Sequence, residues 1–173
     1  MSCGSPRSRG RVLRSAHSIV GLVSDTHGLV RSEAIAALRG VDLIVHAGDV
    51  GAASVLDRLR ELAPVVAIRG NNDKGAWAER LPTTEVVELE GALLYVVHDQ
   101  AELDLDPGAA DFHVVVSGHS HRPSIDRRDG VLFINPGSIG PRRFTLPVAL
   151  SLLRIAGPTL EASIVELRDR ETE

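Results

Sequence analysis

Two short segments of the chain set potential metal ligands two positions apart. Asp25-Thr26-His27 closes one apolar run, and Gly118-His119-Ser120-His121 closes another. Three further apolar runs end in Gly48-Asp49, in Gly70-Asn71-Asn72-Asp73 and in His98. The candidate ligands are Asp25, His27, Asp49, Asn71, His98, His119 and His121: carboxylate, amide and imidazole donors, with no thiolate among them. Hard oxygen combined with borderline nitrogen suits Mn²⁺, Fe, Co²⁺, Ni²⁺ or Zn²⁺ rather than Ca²⁺ or an iron–sulfur cluster. This set is too large for one tetrahedral ion and fits two ions sharing a bridging carboxylate. Residues two apart in extended backbone project to the same side, so the spacing predicts that each pair addresses a single cluster. Any one of these motifs is common by chance. Their force lies in the ordered set, each member at the end of an apolar strand.

The elements that must position these residues follow from periodicity. Residues 19–25, 41–49 and 64–73 read as short buried strands, and 31–40 and 52–63 carry apolar residues at helical spacing. Continuous apolar strands alternating with amphipathic helices predict an α/β fold with a sheet covered on both faces. The second half predicts strands near 84–89, 92–98, 113–118, 131–134, 146–154 and 159–167, with a hairpin turn at Glu90–Gly91 and a weak helix near 101–110. In open α/β sheets ligands gather beyond the carboxyl ends of strands. Five strand ends bearing His, Asp or Asn are therefore expected to meet in space.

Composition excludes several functions. The 173 residues suit one compact domain, expected over 18–173, behind a Ser/Arg/Gly-rich extension at 1–17 that is expected to be disordered. Net charge is −4, but the first 18 residues hold four arginines and no acid, so the rest carries −8. Such an acidic body is ill suited to long nucleic acid. No apolar run reaches the length of a membrane span. The lone Cys3 fits a reducing compartment, and a cytoplasmic location is expected.

The ordered set Asp25-x-His27, Gly48-Asp49, Gly70-Asn71-x-Asp73, His98 and Gly118-His119-x-His121 resembles the calcineurin-like metallophosphoesterase superfamily. Asn135-Pro136-Gly137-Ser138 narrows the likeness to its small single-domain bacterial and archaeal phosphodiesterases, over about residues 18–167. The resemblance implies a four-layer α/β/β/α sandwich of two mixed sheets. It implies two divalent ions per chain, with Mn²⁺ favoured and Ni²⁺, Co²⁺, Zn²⁺ or Fe as alternatives. Asp25, His27, Asp49 and His121 would hold one ion; Asp49, Asn71, His98 and His119 would hold the other, with Asp49 bridging. Asp49, Asn71 and His98 are also assigned as catalytic. The expected activity is hydrolysis of small phosphodiesters by a hydroxide shared between the ions, in a dimer or tetramer. Phosphomonoester or nucleotide hydrolysis on the same site is the near alternative. A non-catalytic scaffold, as in a eukaryotic retromer subunit of similar size, is the distant one.

The sequence departs from the family pattern at three positions. Asn72 stands where many members have a histidine thought to protonate the leaving group, and an amide has no acidic proton to give. Asp99 and Gln100 follow His98 where relatives usually have Gly-His. Asp73 is read as support for Asn71 or its loop, Ser120 as structural, and His46 equally as support for the site or as a core histidine. Trp77 is read as packing before a wall for the leaving group, and Arg142 and Arg143 as a solvated loop before a contact to phosphate or a neighbouring subunit.

Overall fold

A computed structural model describes residues 17–168. The head expected to be disordered lies, except for His17, outside the described residues. Strands β1 (Ser18–Val23), β2 (Leu43–His46) and β3 (Val65–Ala67) are parallel and are joined by α1 (Ser32–Ala37) and α2 (Ala53–Arg60). Strands β4 (Thr84–Leu89), β5 (Ala92–Val97), β6 (Val114–Val116), β7 (Ser124–Arg128) and β8 (Val131–Asn135) form a second sheet in the order β4-β5-β6-β8-β7. The chain then returns to the first sheet with antiparallel β9 (Ala149–Ala156) and β10 (Thr159–Glu166), giving β10-β9-β1-β2-β3.

Strand alternation sorts the side chains into layers. Val20, Leu22, Val45, Ala47 and Ile68 of the first sheet meet Leu94, Val96, Val114, Val116 and Ile134 of the second in a buried seam. Each fully buried aliphatic chain of this kind contributes about 1.5–3 kcal/mol. On the outer face of the first sheet, Val23, Ile44 and Leu150 pack under Leu38 and α2's Val55, Leu56 and Leu59. Gly21 lets that layer close, because a Cβ there would collide with Leu38.

This is the expected two-sheet sandwich, with a thin fourth layer. The segment predicted as a helix at 101–110 is a 3₁₀ turn over Gln100–Glu102 followed by a loop. Asp99 Oδ1 accepts from the Ala101 amide, and Asp106 Oδ1 accepts from the amides of Gly108 and Ala109. Short acidic side chains that bind nearby amides favour turns over helix. Phe112 covers Tyr95 at 5.1 Å instead.

Several boundaries differ from the periodicity. The third strand is only Val65–Ala67, since the chain leaves the sheet to build a loop at 70–73. β7 is an edge strand with mostly exposed residues, so it lacks the apolar signal of a strand. Its hairpin partner β8 follows Asp129-Gly130, with φ 48° and 82°, matching Glu90-Gly91 at 50° and 81°. Both positions of such two-residue turns need left-handed backbone, which Asp-Gly supplies well.

Candidate metal centre

The carboxyl ends of β1, β2, β3, β5 and β6 open on one edge of the sandwich, and all seven candidate ligands lie in the loops that follow them. The spacing predicts extended backbone at Asp25-x-His27 and His119-x-His121. The structure differs. Asp25, His27, Asp49, His119 and His121 have φ of 54°, 45°, 54°, 67° and 59°. Left-handed backbone is uncommon outside glycine, although Asp and His tolerate it better than most residues. Such strain persists only where the surroundings over-determine it. Here the loops are laced together. The amides of Asp25, His27 and Gly28 donate to the carbonyls of Gly48, Asp49 and Val50 at 3.0, 3.0 and 2.9 Å. The His119 amide donates to Asp25 Oδ2 at 3.1 Å.

The side chains converge in two overlapping groups. In the first, His27 Nε2 and His121 Nε2 face each other at 3.3 Å, with Asp25 Oδ1 3.8 Å and 3.2 Å from them. Despite that approach, buried Asp25 Oδ1 has no hydrogen-bond partner, and neither has the other ring nitrogen of His121, the buried Nδ1. In the second group, Asn71 Oδ1 lies 3.0 Å from His98 Nε2 and 3.3 Å from His119 Nδ1. Asp49 Oδ2 stands between the groups, 3.8 Å from His27 Nε2 and 3.5 Å from His98 Nε2. Asp25, His27 and His121 could together hold an ion, as could Asp25, Asp49 and His98. A single N–H can join the two imidazole nitrogens, but the buried Asp25 oxygen beside them has no hydrogen-bond partner, which is costly unless a cation meets it. The donor set therefore fits divalent metal.

Residues behind the ligands fix their aim. His98 Nδ1 lies 2.7 Å from the Ala47 carbonyl, which can only accept, so Nδ1 carries the proton and Nε2 turns to the site. Asn72 donates its amide to Asp49 Oδ1 at 2.9 Å and its Nδ2 to Oδ2 at 2.7 Å. Asp73 gathers the amides of Gly70, Val50 and Gly51 at 2.9, 3.1 and 2.8 Å, tying the β3 loop to the β2 loop. Gly70 is required by close approach, since a Cβ there would overlap Asp49.

His46 accepts from the Gly48 amide at Nδ1 and bonds Thr26 Oγ1 through Nε2 at 2.9 Å. Thr26 Oγ1 donates onward to the Val50 carbonyl at 2.8 Å. Thr26 escapes sequence reasoning because nothing marks a threonine between two ligands as a brace. Asn135 donates to the Gly118 carbonyl and to Ser120 Oγ at 2.8 and 3.0 Å, and Ser138 donates to the Asp25 carbonyl at 2.8 Å. The 135–138 turn thus joins the two loops that bear the paired ligands. Trp77 packs against the helix layer.

The charges are strongly coupled. Burial works to raise both carboxyls, but neighbours outweigh it. His121 and Ser24 hold Asp25 below its usual range, and bonds from His98 and Asn72 hold Asp49 far below it. Burial opposes the charge on His98 too, yet Asp49 and the Ala47 carbonyl raise its pKa to about 9. His27 is lowered by burial, against the pull of Asp49 and Asp25. Complete burial drives His46 down to about 4, so it is neutral.

Two stacked mixed sheets with Asp, Asn and His gathered at their carboxyl edge define a metallophosphoesterase-type sandwich. Residues 19–157 match the calcineurin-like phosphoesterase superfamily domain, and the chain belongs to that family. A probable metallophosphoesterase of Methanothermobacter thermautotrophicus is 34% identical over 162 residues, covering 85% of this chain and 91% of that protein. A phosphodiesterase of Methanocaldococcus jannaschii is 26% identical over 136 residues, covering 68% of this chain and 82% of the relative. In fold, Vps29 of Chaetomium thermophilum is similar with a TM-score of 0.77 at 20% identity, covering 89% of this chain and 91% of that one. The family is metal-dependent, in agreement with the donor set. Among the described residues no helix is long and apolar enough to cross a membrane.

Proposed function

We propose that the chain is a metal-dependent phosphodiesterase that hydrolyses small phosphodiesters at a site for two divalent ions. The observation that carries this is the meeting of Asp25 Oδ1, which has no hydrogen-bond partner, with His27 Nε2, His121 Nε2, Asp49 Oδ2 and His98 Nε2 around shared space. Asp25, His27, Asp49 and His121 would hold one ion; Asp49, Asn71, His98 and His119 would hold the other. Asp49, whose Oδ2 is within 4 Å of an imidazole from each group, would be the residue shared by both ions. The mixed oxygen and nitrogen set suits Mn²⁺, Ni²⁺, Co²⁺, Zn²⁺ or Fe, and the family resemblance favours Mn²⁺ among them. Ions bound there acidify water toward neutral pH and stabilise charge on phosphate.

The protein's part is placement. Asn72 fixes both oxygens of Asp49, the Ala47 carbonyl fixes the ring of His98, and the left-handed loops hold the ligands in place. In hydrolysis water adds to phosphorus and the P–O bond to the ester oxygen breaks, that oxygen leaving as an anion that solvent then protonates. Asn72 can donate a hydrogen bond to that oxygen but cannot supply the proton. The phosphodiesterase among the relatives supports the diester over the monoester. The domain is taken as 18–173, functioning as a homodimer or tetramer.

The test is hydrolysis of bis-p-nitrophenyl phosphate and p-nitrophenyl phosphate by metal-stripped protein with single metals restored. The expected result is metal-dependent cleavage of the diester with much weaker cleavage of the monoester. The reverse preference would assign a phosphomonoesterase. Two features carry a scaffold as the second reading: Asn72 has no acidic proton to give, and Asp99 adds a negative charge near the expected phosphate. That reading expects metal binding without turnover of either ester.

A further inference from the structure

The segment after β8 brings a cation to the site. Ser138 Oγ is bonded to the Asp25 carbonyl, the Ile139 amide donates to the Ser24 carbonyl at 3.3 Å, and Arg31 Nε donates to the Gly140 carbonyl at 3.2 Å. Residues 141–146 therefore continue from a segment bonded to the loop that carries Asp25 and His27. The Leu146 amide closes this segment onto the Arg143 carbonyl at 3.0 Å. Arg143 Nη2 reaches to 3.5 Å from His27 Nε2. Among the described residues Arg143 has no carboxylate partner within ion-pair distance. Arg143 donates through Nη2 toward the His27 imidazole nitrogen, and its remaining guanidinium donors are left to meet an anion at the site. Its forked donors match the oxygens of a phosphate.

The next residue has its own anomaly. Phe144 is 94% exposed, and its φ is 51°. A bulky residue in left-handed backbone is a true outlier, and here its ring gains almost no packing in return. The turn therefore displays a bare aromatic ring on the residue that follows Arg143. On the β3 side of the site, a cavity of about 430 Å³ is lined by Arg69, Lys74, Asp99 and Glu102 together with Asn71 and His119. It leaves room for a second ester group.

We propose that Arg143 and Phe144 form a substrate-reading arm: Arg143 takes a non-bridging phosphate oxygen, and Phe144 packs on an aromatic group esterified to it. The substrate class is then aryl or nucleoside phosphodiesters rather than dialkyl ones. This inference rests on the phosphodiesterase reading above. It makes Arg143 a binding residue for any diester and Phe144 a residue that selects among them.

The test is calorimetric binding of dimethyl phosphate and diphenyl phosphate to the metal-loaded full chain. Metal content and turnover of bis-p-nitrophenyl phosphate are measured on the same samples. Arg143→Ala should weaken both ligands by about tenfold with metal content unchanged, and Arg143→Lys should recover part of the loss. Phe144→Ala should weaken diphenyl phosphate by about fivefold and leave dimethyl phosphate unchanged. Equal binding by wild type and Arg143→Ala, in a wild type that hydrolyses the diester, overturns the arm and leaves the enzyme standing. Equal losses of both ligands in Phe144→Ala overturn the aromatic selection. A wild type that holds its metals yet neither binds nor cleaves diesters removes both readings together.

Discussion

Asn72 holds both oxygens of the central carboxylate Asp49. It therefore orders the site without offering an acidic proton. A leaving oxygen that receives no proton must carry its own charge, so rate should depend steeply on leaving-group acidity. A series of substituted aryl esters is expected to show a steep fall of kcat with rising phenol pKa, and Asn72→His should flatten that slope. A shallow slope in the wild type would mean that another group donates the proton. His46 gives a second prediction. Its folded pKa of about 4 lies below the unfolded value near 6.5, so the unfolded chain binds more protons between them. Its contribution to stability is complete above pH 6.5 and is lost as pH falls toward 4, about 3 kcal/mol in all. Unfolding midpoints of wild type and His46→Asn, compared at pH 7.5 and 5, should fall more in wild type. Parallel falls would show that His46 does not titrate in this way. That the seven candidate residues gather at one edge of the sandwich was legible in the sequence, because each closes an apolar run. The left-handed backbone at five of them was not, because cross-loop hydrogen bonds impose it.

The loops act as one unit, and Gly70 is the point where two of them touch. A Cβ there would overlap the backbone and carboxylate of Asp49. Gly70→Ala is expected to cost about 1–3 kcal/mol of stability from overpacking. It should also weaken metal binding by at least about tenfold by displacing Asp49. Calorimetric metal titration alongside denaturant unfolding checks both; metal affinity unchanged from wild type would show that the β2 and β3 loops are not coupled. At this scale periodicity found β1 and β2, where burial on both faces keeps the apolar runs continuous, and the Glu90–Gly91 turn marked the hairpin of β4 and β5, although half of β4 is exposed. Periodicity missed β7, whose residues are mostly solvent-exposed, although Asp129-Gly130 marked the turn beside it. It overextended the helix at 101–110, where Asp99 and Asp106 capture backbone amides. The Asn135–Ser138 turn was visible as a motif, but its role was not, since its partners Gly118, Ser120 and Asp25 are distant in sequence.

Across the whole molecule, the sandwich serves to bring the carboxyl ends of parallel strands from two separate sheets to one edge. β1, β2 and β3 supply Asp25, His27, Asp49 and Asn71, while β5 and β6 supply His98, His119 and His121. Neither sheet alone carries both halves of the ligand set, so the buried seam of Leu22, Val45, Leu94 and Val116 sets the spacing of the site as well as stabilising the fold. The architecture is shared with Vps29 of Chaetomium thermophilum at 20% identity, which shows the fold alone. What separates an enzyme from a binding module on this fold is whether the assembled ligands support turnover. The most direct measurement is a titration of metal-free chain with Mn²⁺ while cleavage of bis-p-nitrophenyl phosphate is followed, with Asp49→Ala in parallel. Turnover should rise as two ions bind per chain, and Asp49→Ala should lose both the second ion and the activity. Two ions bound without turnover, or activity that survives Asp49→Ala, would contradict a phosphodiesterase built on a bridging Asp49.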